Sequence, residues 1–270
     1  MPHFTHEGLT FDAHESGPSQ RPIVVLLHGF PQDSTAWDNV IPRLHQAGLR
    51  TLTFDQRGYT SGNTAVAARD YGIPALAGDV LAALDAAGAE RAHVVGHDWG
   101  GAVAWHLAGT SSRVDSLTVL STPHPGALMW SFTHSRQALM SYYMALFQLP
   151  RAPERYLSPR LYGFYRKTGL PRKQAQRYAE RFAHPATLTG PMNWYRAALR
   201  NRSATPTSKV PTTYVWGRND FALGEAAAHR TARYVPASYR FVELEAGHWL
   251  PETHPDVVAA EIVGQVRRAH

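Results

Sequence analysis

Short runs of consecutive apolar residues alternate along the chain with longer stretches of helical periodicity. The clearest run is Ile23–Leu27, and similar runs recur at residues 49–54, 93–95, 117–120, 212–216 and 241–244. Unbroken apolar strands separated by helices are typical of a parallel sheet that is covered on both faces. The pattern therefore predicts a doubly wound α/β fold, preceded by an antiparallel hairpin within residues 4–14.

The chain between about residues 124 and 208 departs from this alternation. It shows no strand pattern, is rich in tyrosine, arginine and tryptophan, and contains helical stretches separated by prolines. A helical insertion between two strands is expected to cover the edge of the sheet as a cap. We therefore predict a core formed by residues 1–123 and 206–270 and an all-helical cap over residues 124–205.

The composition narrows the possible classes of protein. A chain of 270 residues, 44% of them hydrophobic, can bury the core of one domain with an insertion or of two domains. The absence of cysteine excludes disulfides, thiolate catalysis and cysteine-based zinc sites. No secretory signal pattern is visible, and no apolar run approaches the ~20 residues of a membrane span. We expect a cytoplasmic protein without a membrane span, and the sequence leaves monomer and homodimer open.

The net charge of +6 originates in one segment. Residues 151–181 contain nine basic and two acidic side chains, so this segment alone carries +7. Such a run is most often a solvated helical face. The alternative is a segment that attracts anionic ligands or surfaces. No zinc-finger spacing or glycine-aromatic RNA motif accompanies it, so we expect no nucleic-acid partner.

The strongest chemical signal is the sequence GHDWGG at residues 96–101, which follows a predicted strand and precedes a helix. This order is that of a nucleophile elbow with Asp98 at its centre. Gly96 and Gly100 permit the sharp turn, which exposes the central side chain at the edge of the sheet. The N–H groups of the following helix favour the ionised carboxylate. The competing interpretation is an ordinary turn in which Asp98 caps the helix.

Two further features at the same sheet edge complete a catalytic set. Phe30 follows the first buried strand, and its backbone N–H and that of Trp99 are placed to form an oxyanion hole. Asp220 and His248 each follow a later strand, which gives the chain order nucleophile, acid, base. Taken alone, His248 is simply one of 15 histidines, but with Asp98 and Asp220 it predicts a catalytic triad.

Five motifs in this order resemble the epoxide hydrolases of the α/β-hydrolase superfamily. They are HGFPQ at 28–32, DQRGY at 55–59, GHDWGG at 96–101, WGRNDF at 216–221 and AGHW at 246–249. The resemblance covers nearly the whole chain and implies the α/β-hydrolase fold, with a mostly parallel eight-stranded sheet flanked by helices and a helical cap. It also implies a cis peptide bond before Pro31 and two cap tyrosines that hold the epoxide oxygen. Tyr195 matches one of these tyrosines, and Tyr143 is preferred over Tyr142 for the other.

A carboxylate nucleophile suits this chemistry, because a free aspartate ionises near pKa ~3.9 and needs no base to activate it. The predicted cycle begins with attack of Asp98 on an epoxide carbon and continues through an alkyl-aspartate ester. Water deprotonated by His248 then hydrolyses the ester to a vicinal diol, and no metal or organic cofactor is required. We expect a small apolar or aromatic epoxide in a pocket lined partly by Trp37, Met192, Leu223 and Trp249.

Two other functions stay open on the sequence alone. A haloalkane or haloacid dehalogenase uses the same aspartate nucleophile, but a leaving halide needs side-chain N–H donors, and Phe30 supplies none beside Trp99. A slow or non-catalytic receptor for a small ligand is the second alternative on the same fold. Halide release compared with diol formation tests the first alternative, and ligand-dependent partner binding without turnover would support the second.

Overall fold

A computed structural model of the protein describes residues 3–18, 22–60, 67–199 and 205–269. The strands are β1 (His3–His6), β2 (Leu9–Ser16), β3 (Ile23–Leu27), β4 (Arg50–Phe54), β5 (Ala92–His97), β6 (Val114–Leu120), β7 (Thr212–Gly217) and β8 (Tyr239–Leu244). They form one eight-stranded sheet in the order β1-β2-β4-β3-β5-β6-β7-β8. The β1–β2 and β2–β4 pairs are antiparallel, and all other neighbours are parallel.

The side chains of β3 show how the apolar runs produce this sheet. Val24 and Leu26 join one hydrophobic cluster, whereas Val25 and Leu27 join a second cluster. Successive side chains of a strand point to opposite faces, so an unbroken apolar run supplies a core to both sides of the sheet. All five residues of β3 are buried, as this arrangement requires.

Helices cover both faces of the sheet. Their bounds are α1 (Ile41–Gln46), α2 (Ile73–Ala86), α3 (Trp99–Thr110), α4 (Pro125–His134), α5 (Gln137–Met140), α6 (Tyr143–Leu146), α7 (Ala152–Leu157), α8 (Leu161–Lys167), α9 (Arg172–Arg181), α10 (Thr189–Ala198), α11 (Glu225–Arg230), α12 (Leu250–Thr253) and α13 (Pro255–Ala269). α1 and α13 contribute to the cluster of Val24, and α2 and α3 contribute to that of Val25. Across the described ranges, no helix has both the length and the apolar character to cross a bilayer.

The fold class expected from the sequence is confirmed. Each predicted strand is present, with its ends displaced by at most a few residues. The predicted hairpin is formed by β1 and β2, and its turn contains Glu7 and Gly8, both with positive φ. The peptide bond between Phe30 and Pro31 is cis, as the motif resemblance implies.

The helices α4–α10 lie between β6 and β7 and contact the loops at the carboxyl edge of the sheet. The Trp194 indole of α10 donates to the Arg57 carbonyl at 2.9 Å, and the Tyr165 hydroxyl of α8 donates to the Pro31 carbonyl. The cap boundaries 124 and 205 stay a prediction, and residues 200–204 lie outside the described residues.

Two arginines of the basic segment fasten the helical insertion to the core. Arg181 of α9 contacts Asp55 at 2.5 Å and Asp33 at 3.3 Å. Arg177 of the same helix contacts Asp38 at 2.7 Å. Both arginines therefore bind carboxylates of the loops that follow β3 and β4, and the insertion is fixed over the edge where these strands end.

Candidate active site

Asp98 occupies the sharp turn between β5 and α3. Its backbone has φ +50° and ψ −120°, a region that non-glycine residues rarely adopt. The turn is possible only because its neighbours lack a Cβ. A Cβ on Gly96 would lie 2.3 Å from the Gly100 carbonyl oxygen, and one on Gly100 would lie 2.4 Å from the Leu27 carbonyl oxygen. A strained backbone therefore holds the Asp98 carboxylate at the sheet edge. Backbone strain of this kind is typical of functional sites.

The two N–H groups predicted to form an oxyanion hole bind the Asp98 carboxylate in this structure. The Phe30 N–H donates to Asp98 Oδ1 at 2.7 Å. The Trp99 N–H, at the first position of α3, also hydrogen-bonds the carboxylate. One carboxylate oxygen is therefore held in place, whereas Oδ2 is the oxygen nearer to His248.

The predicted triad residues meet at this edge. His248 Nδ1 lies 2.8 Å from Asp220 Oδ2, and its Nε2 lies 3.7 Å from Asp98 Oδ2. The other oxygen of Asp220 accepts hydrogen bonds from the N–H groups of Ala222 and Leu223 at 2.8 and 3.1 Å. Asp220 is thus fixed by the backbone, and it orients the imidazole so that Nε2 faces Asp98.

Burial and the neighbouring charges shift the pKa values of His248 and Asp98 in opposite directions. Burial alone would lower the pKa of His248, but the carboxylates of Asp220 and Asp98 outweigh it and raise that pKa to about 9. Loss of solvation raises the pKa of Asp98 above its usual value, although His248 and the N–H groups of Phe30 and Trp99 oppose this shift. From the turn and the following helix alone, we expected the ionised form of Asp98 to be favoured. The raised pKa differs from that expectation because the carboxyl group is buried.

Tyr143 and Tyr195 project from the cap helices α6 and α10 toward the same place. Their rings lie 6.0 Å apart, and the two side chains are hydrogen-bonded. The Trp99 side chain hydrogen-bonds Tyr195. Burial raises the pKa of both tyrosines, and the nearby Asp98 charge contributes. Both hydroxyls therefore keep their protons and can donate hydrogen bonds. Tyr142, by contrast, is 66% exposed.

A cavity of about 1020 Å³ opens in front of these groups. Its wall contains Asp98, His248, Tyr143, Tyr195 and Phe30. The rest of the wall is mostly apolar and comes largely from the cap helices α5–α8. The arrangement presents a carboxylate, an imidazole and two phenolic donors to one apolar space, which can hold a substrate that is itself largely apolar.

The prediction that Trp37, Met192, Leu223 and Trp249 line the pocket needs correction, because none of them belongs to the cavity wall. Trp37 is fully buried in the cluster beneath α1, and Met192 is fully buried in the larger cluster. The Leu223 N–H binds Asp220. The Trp249 ring meets the His248 ring edge-to-face with centroids 5.0 Å apart, and its indole N–H donates to the Thr168 hydroxyl. Leu223 and Trp249 therefore contact Asp220 and His248, whereas Trp37 and Met192 pack within the core.

Several aromatic residues of the wall were missed. Phe147 and Phe164 come from the cap, and Phe221 follows Asp220 directly. A sequence signal exists for the first of these, because Phe147 is four residues after Tyr143 and residues at that spacing share a helix face. The two rings lie 5.4 Å apart.

Comparisons with known proteins identify the fold and the family. A family model described as the α/β-hydrolase fold matches residues 22–255. Human epoxide hydrolase 4 is 32% identical over 272 residues, which cover 93% of this chain and 74% of that protein. The chain belongs to the epoxide hydrolase family of α/β-hydrolases. The AB hydrolase superfamily protein YfhM of Bacillus subtilis is 36% identical over 264 residues, covering 93% and 92% of the two chains. The crystal structure of epoxide hydrolase A from Mycobacterium thermoresistibile superposes with a TM-score of 0.86 at 28% identity, covering 98% and 97%.

A buried carboxyl behind the site was not anticipated in this member of the epoxide hydrolase family. Glu252 Oε1 accepts hydrogen bonds from Gln32 at 2.6 Å and from the Tyr178 hydroxyl at 3.0 Å. Gln32 in turn accepts the Gly29 N–H at 3.1 Å and contacts His97 at 2.8 Å. The network therefore joins Glu252 to the loop that carries the Phe30 N–H. Burial raises the pKa of Glu252 to about 7.

This shift predicts a pH-dependent stability difference for Glu252→Gln. The unfolded carboxyl titrates near its ordinary value of 4.5 and the folded one near 7, so the folded state binds more protons between these values. Stability contributed by this group is lost as the pH rises through that window. Urea unfolding should therefore show the variant gaining about 2–3 kcal/mol relative to the unchanged protein between pH ~5 and ~8.

Glu90→Gln is the matched control for this measurement, because the Glu90 residue is exposed. This control substitution should change the free energy of unfolding by the same amount at both pH values. If the stability of Glu252→Gln relative to the unchanged protein does not vary with pH, then the buried carboxyl titrates at its ordinary value.

Proposed function

We propose that this protein hydrolyses an epoxide to a vicinal diol through a covalent ester of Asp98. The observation that carries the proposal is the meeting of Asp98, the His248–Asp220 pair and the two cap tyrosines at one cavity wall. In this proposal the set supplies a nucleophile, a base with its orienting carboxylate, and two hydrogen-bond donors. The epoxide hydrolase relatives support the same reaction class.

In the first half-reaction, Oδ2 of Asp98 is the attacking oxygen, because Oδ1 is held by the Phe30 N–H. Attack on an epoxide carbon forms the ester bond as the ring carbon–oxygen bond breaks. Negative charge develops on the ring oxygen, which Tyr143 and Tyr195 stabilise by donating hydrogen bonds. The released alkoxide then takes a proton from this tyrosine pair.

In the second half-reaction, the loss of charge on Asp98 changes the basicity of His248. The ionised carboxylate contributes to the raised pKa of the imidazole, so esterification lowers that pKa. As this pKa falls, the imidazolium gives its proton to the tyrosine pair and restores both hydroxyls. Neutral His248 then removes a proton from water, which attacks the ester carbonyl carbon. The resulting oxyanion lies at the Phe30 and Trp99 N–H groups until the diol leaves. When this intermediate collapses, the bond between the carbonyl carbon and the ester oxygen breaks, and the ester oxygen takes the proton held by His248. The new carboxyl group of Asp98 then gives its proton to His248, which restores the resting carboxylate and imidazolium.

Isotope labelling tests the covalent route. With enzyme in excess over an epoxide in heavy-oxygen water, one turnover should place the label in Asp98, and the diol should carry none from water. Mass spectrometry of the peptide that contains Asp98 measures this outcome. Label found in the diol and absent from Asp98 would show direct attack by water and overturn the proposal.

A dehalogenase with the same nucleophile is disfavoured by the donors that surround Asp98. The Trp99 side chain hydrogen-bonds Tyr195, and Phe30 has no polar side-chain atom to bind a halide. Two tyrosine hydroxyls instead suit an oxygen leaving group. Haloalkanes matched in carbon skeleton to the epoxides should release no halide above background while the epoxides form diol.

A further inference from the structure

The mouth of the cavity combines exposed apolar side chains with exposed cations. Its apolar rim, Tyr142, Leu146, Leu149 and Tyr156, belongs to the cavity wall, yet these side chains are 66, 51, 53 and 65% exposed. Four large apolar groups that surround one opening are unusual for a surface that faces only water.

Cations stand beside this apolar rim. Arg160 and Lys167 are exposed and belong to the same cavity wall, and Arg160 lies over the Tyr156 ring at 4.2 Å. We call these two residues the cationic rim.

The charges of the basic segment divide into two groups. Arg177 and Arg181 are paired with core carboxylates. The other seven cations are exposed, and within the described residues none of the seven forms a salt bridge; they are Arg151, Arg155, Arg160, Arg166, Lys167, Arg172 and Lys173. Within the described residues, the excess charge is thus not neutralised by carboxylates of the protein.

We propose that the apolar and cationic rims form a docking surface for an anionic lipid bilayer. Cations attract the negative surface of such a bilayer, and the adjoining apolar side chains enter the boundary between headgroups and acyl chains. A purely solvated face would not need the apolar rim. A two-fold dimer through this surface would place two cationic rims against each other, which like charges oppose.

Docking in this orientation would turn the cavity mouth toward the lipid. An apolar substrate could then pass from the bilayer to Asp98 without crossing water. This consequence rests on the proposed function, whereas the docking itself does not.

Vesicle sedimentation tests the docking with the full chain and no substrate. The protein should bind vesicles of phosphatidylcholine mixed with phosphatidylglycerol at about 50 mM salt and should be released at about 500 mM salt. Vesicles of phosphatidylcholine alone should bind it far more weakly. Failure to bind the anionic vesicles at low salt, or equal binding to both kinds, would overturn the proposal.

Matched charge variants locate the surface. Each cation near an anionic membrane contributes about fivefold to binding, so Arg160→Gln with Lys167→Gln should weaken affinity about 25-fold. The control pair Lys209→Gln with Arg267→Gln removes the same charges from exposed positions outside the rims. Lys209 precedes β7 and therefore lies toward the edge of the sheet opposite to the cavity. Equal weakening by both pairs would contradict a localised surface.

The apolar rim is tested by Leu149→Ser, with Leu149→Met as its conservative control. The serine variant should weaken binding severalfold, and the methionine variant should retain it, since only the first removes apolar area. A protein that self-associates, and loses self-association rather than vesicle binding in these variants, would show an interface between copies instead of a lipid surface. Neither result depends on turnover, so failure here leaves the proposed hydrolysis intact and separately testable.

Discussion

Replacing His248 by glutamine is expected to stop the reaction after its first half. Attack by Asp98 does not require the imidazole, whereas ester hydrolysis needs a base to take a proton from water. General-base catalysis contributes about 10²–10⁴-fold, and the steady-state rate of diol formation should fall by about that factor. The trapped ester should appear in intact-protein mass spectra as an increase equal to the mass of the epoxide.

His229→Gln is the appropriate control, because this histidine is 49% exposed and lies outside the cavity wall. It should leave both diol formation and protein mass unchanged. If His248→Gln loses activity without any mass increase, the imidazole is needed before the ester forms, and the division of labour proposed here is wrong.

The second large effect is expected when both cap tyrosines lose their hydroxyls. Removing one donor to a developing oxyanion costs about 10²-fold or more, so Tyr143→Phe and Tyr195→Phe together should slow ester formation about 10⁴-fold. Rapid-mixing measurement of the single-turnover rate isolates this step. The ring contacts with Phe30 and Phe147 survive the substitutions, so the cavity should keep its shape.

Tyr142→Phe distinguishes the roles of the neighbouring residues Tyr142 and Tyr143. Because Tyr142 is largely exposed and Tyr143 is paired with Tyr195, the Tyr142 variant should change the single-turnover rate less than about threefold. A larger loss from Tyr142→Phe than from Tyr143→Phe would reverse the assignment of the first tyrosine.

The fold and the meeting of the triad residues were accessible from the sequence for the same physical reason. Parallel strands end at one edge, so residues that follow separate strands, such as Asp98, Asp220 and His248, are brought together whatever their spacing along the chain. The small residues around Asp98 additionally indicated a turn too tight for a Cβ.

The walls of the cavity were not accessible in this way. Trp37 and Trp249 are near the relevant loops in sequence, but their side chains point into cores whose packing no local pattern encodes. Cap helices as short as α5 and α6 are positioned by contacts with the core. The exposure of their residues could therefore not be predicted from the sequence. Glu252 gave no signal because its partners Gln32 and Tyr178 are distant in the chain.

The two N–H groups that hold Asp98 have an energetic consequence for the proposed covalent intermediate. At rest, the Phe30 and Trp99 amides solvate a full negative charge. Alkylation neutralises that charge and leaves the amides facing a weaker ester acceptor, and addition of water restores an anion in the same place. In the proposed reaction, the site is thus complementary to the states before and after the ester and least complementary to the ester itself, which favours breakdown of the ester over its accumulation.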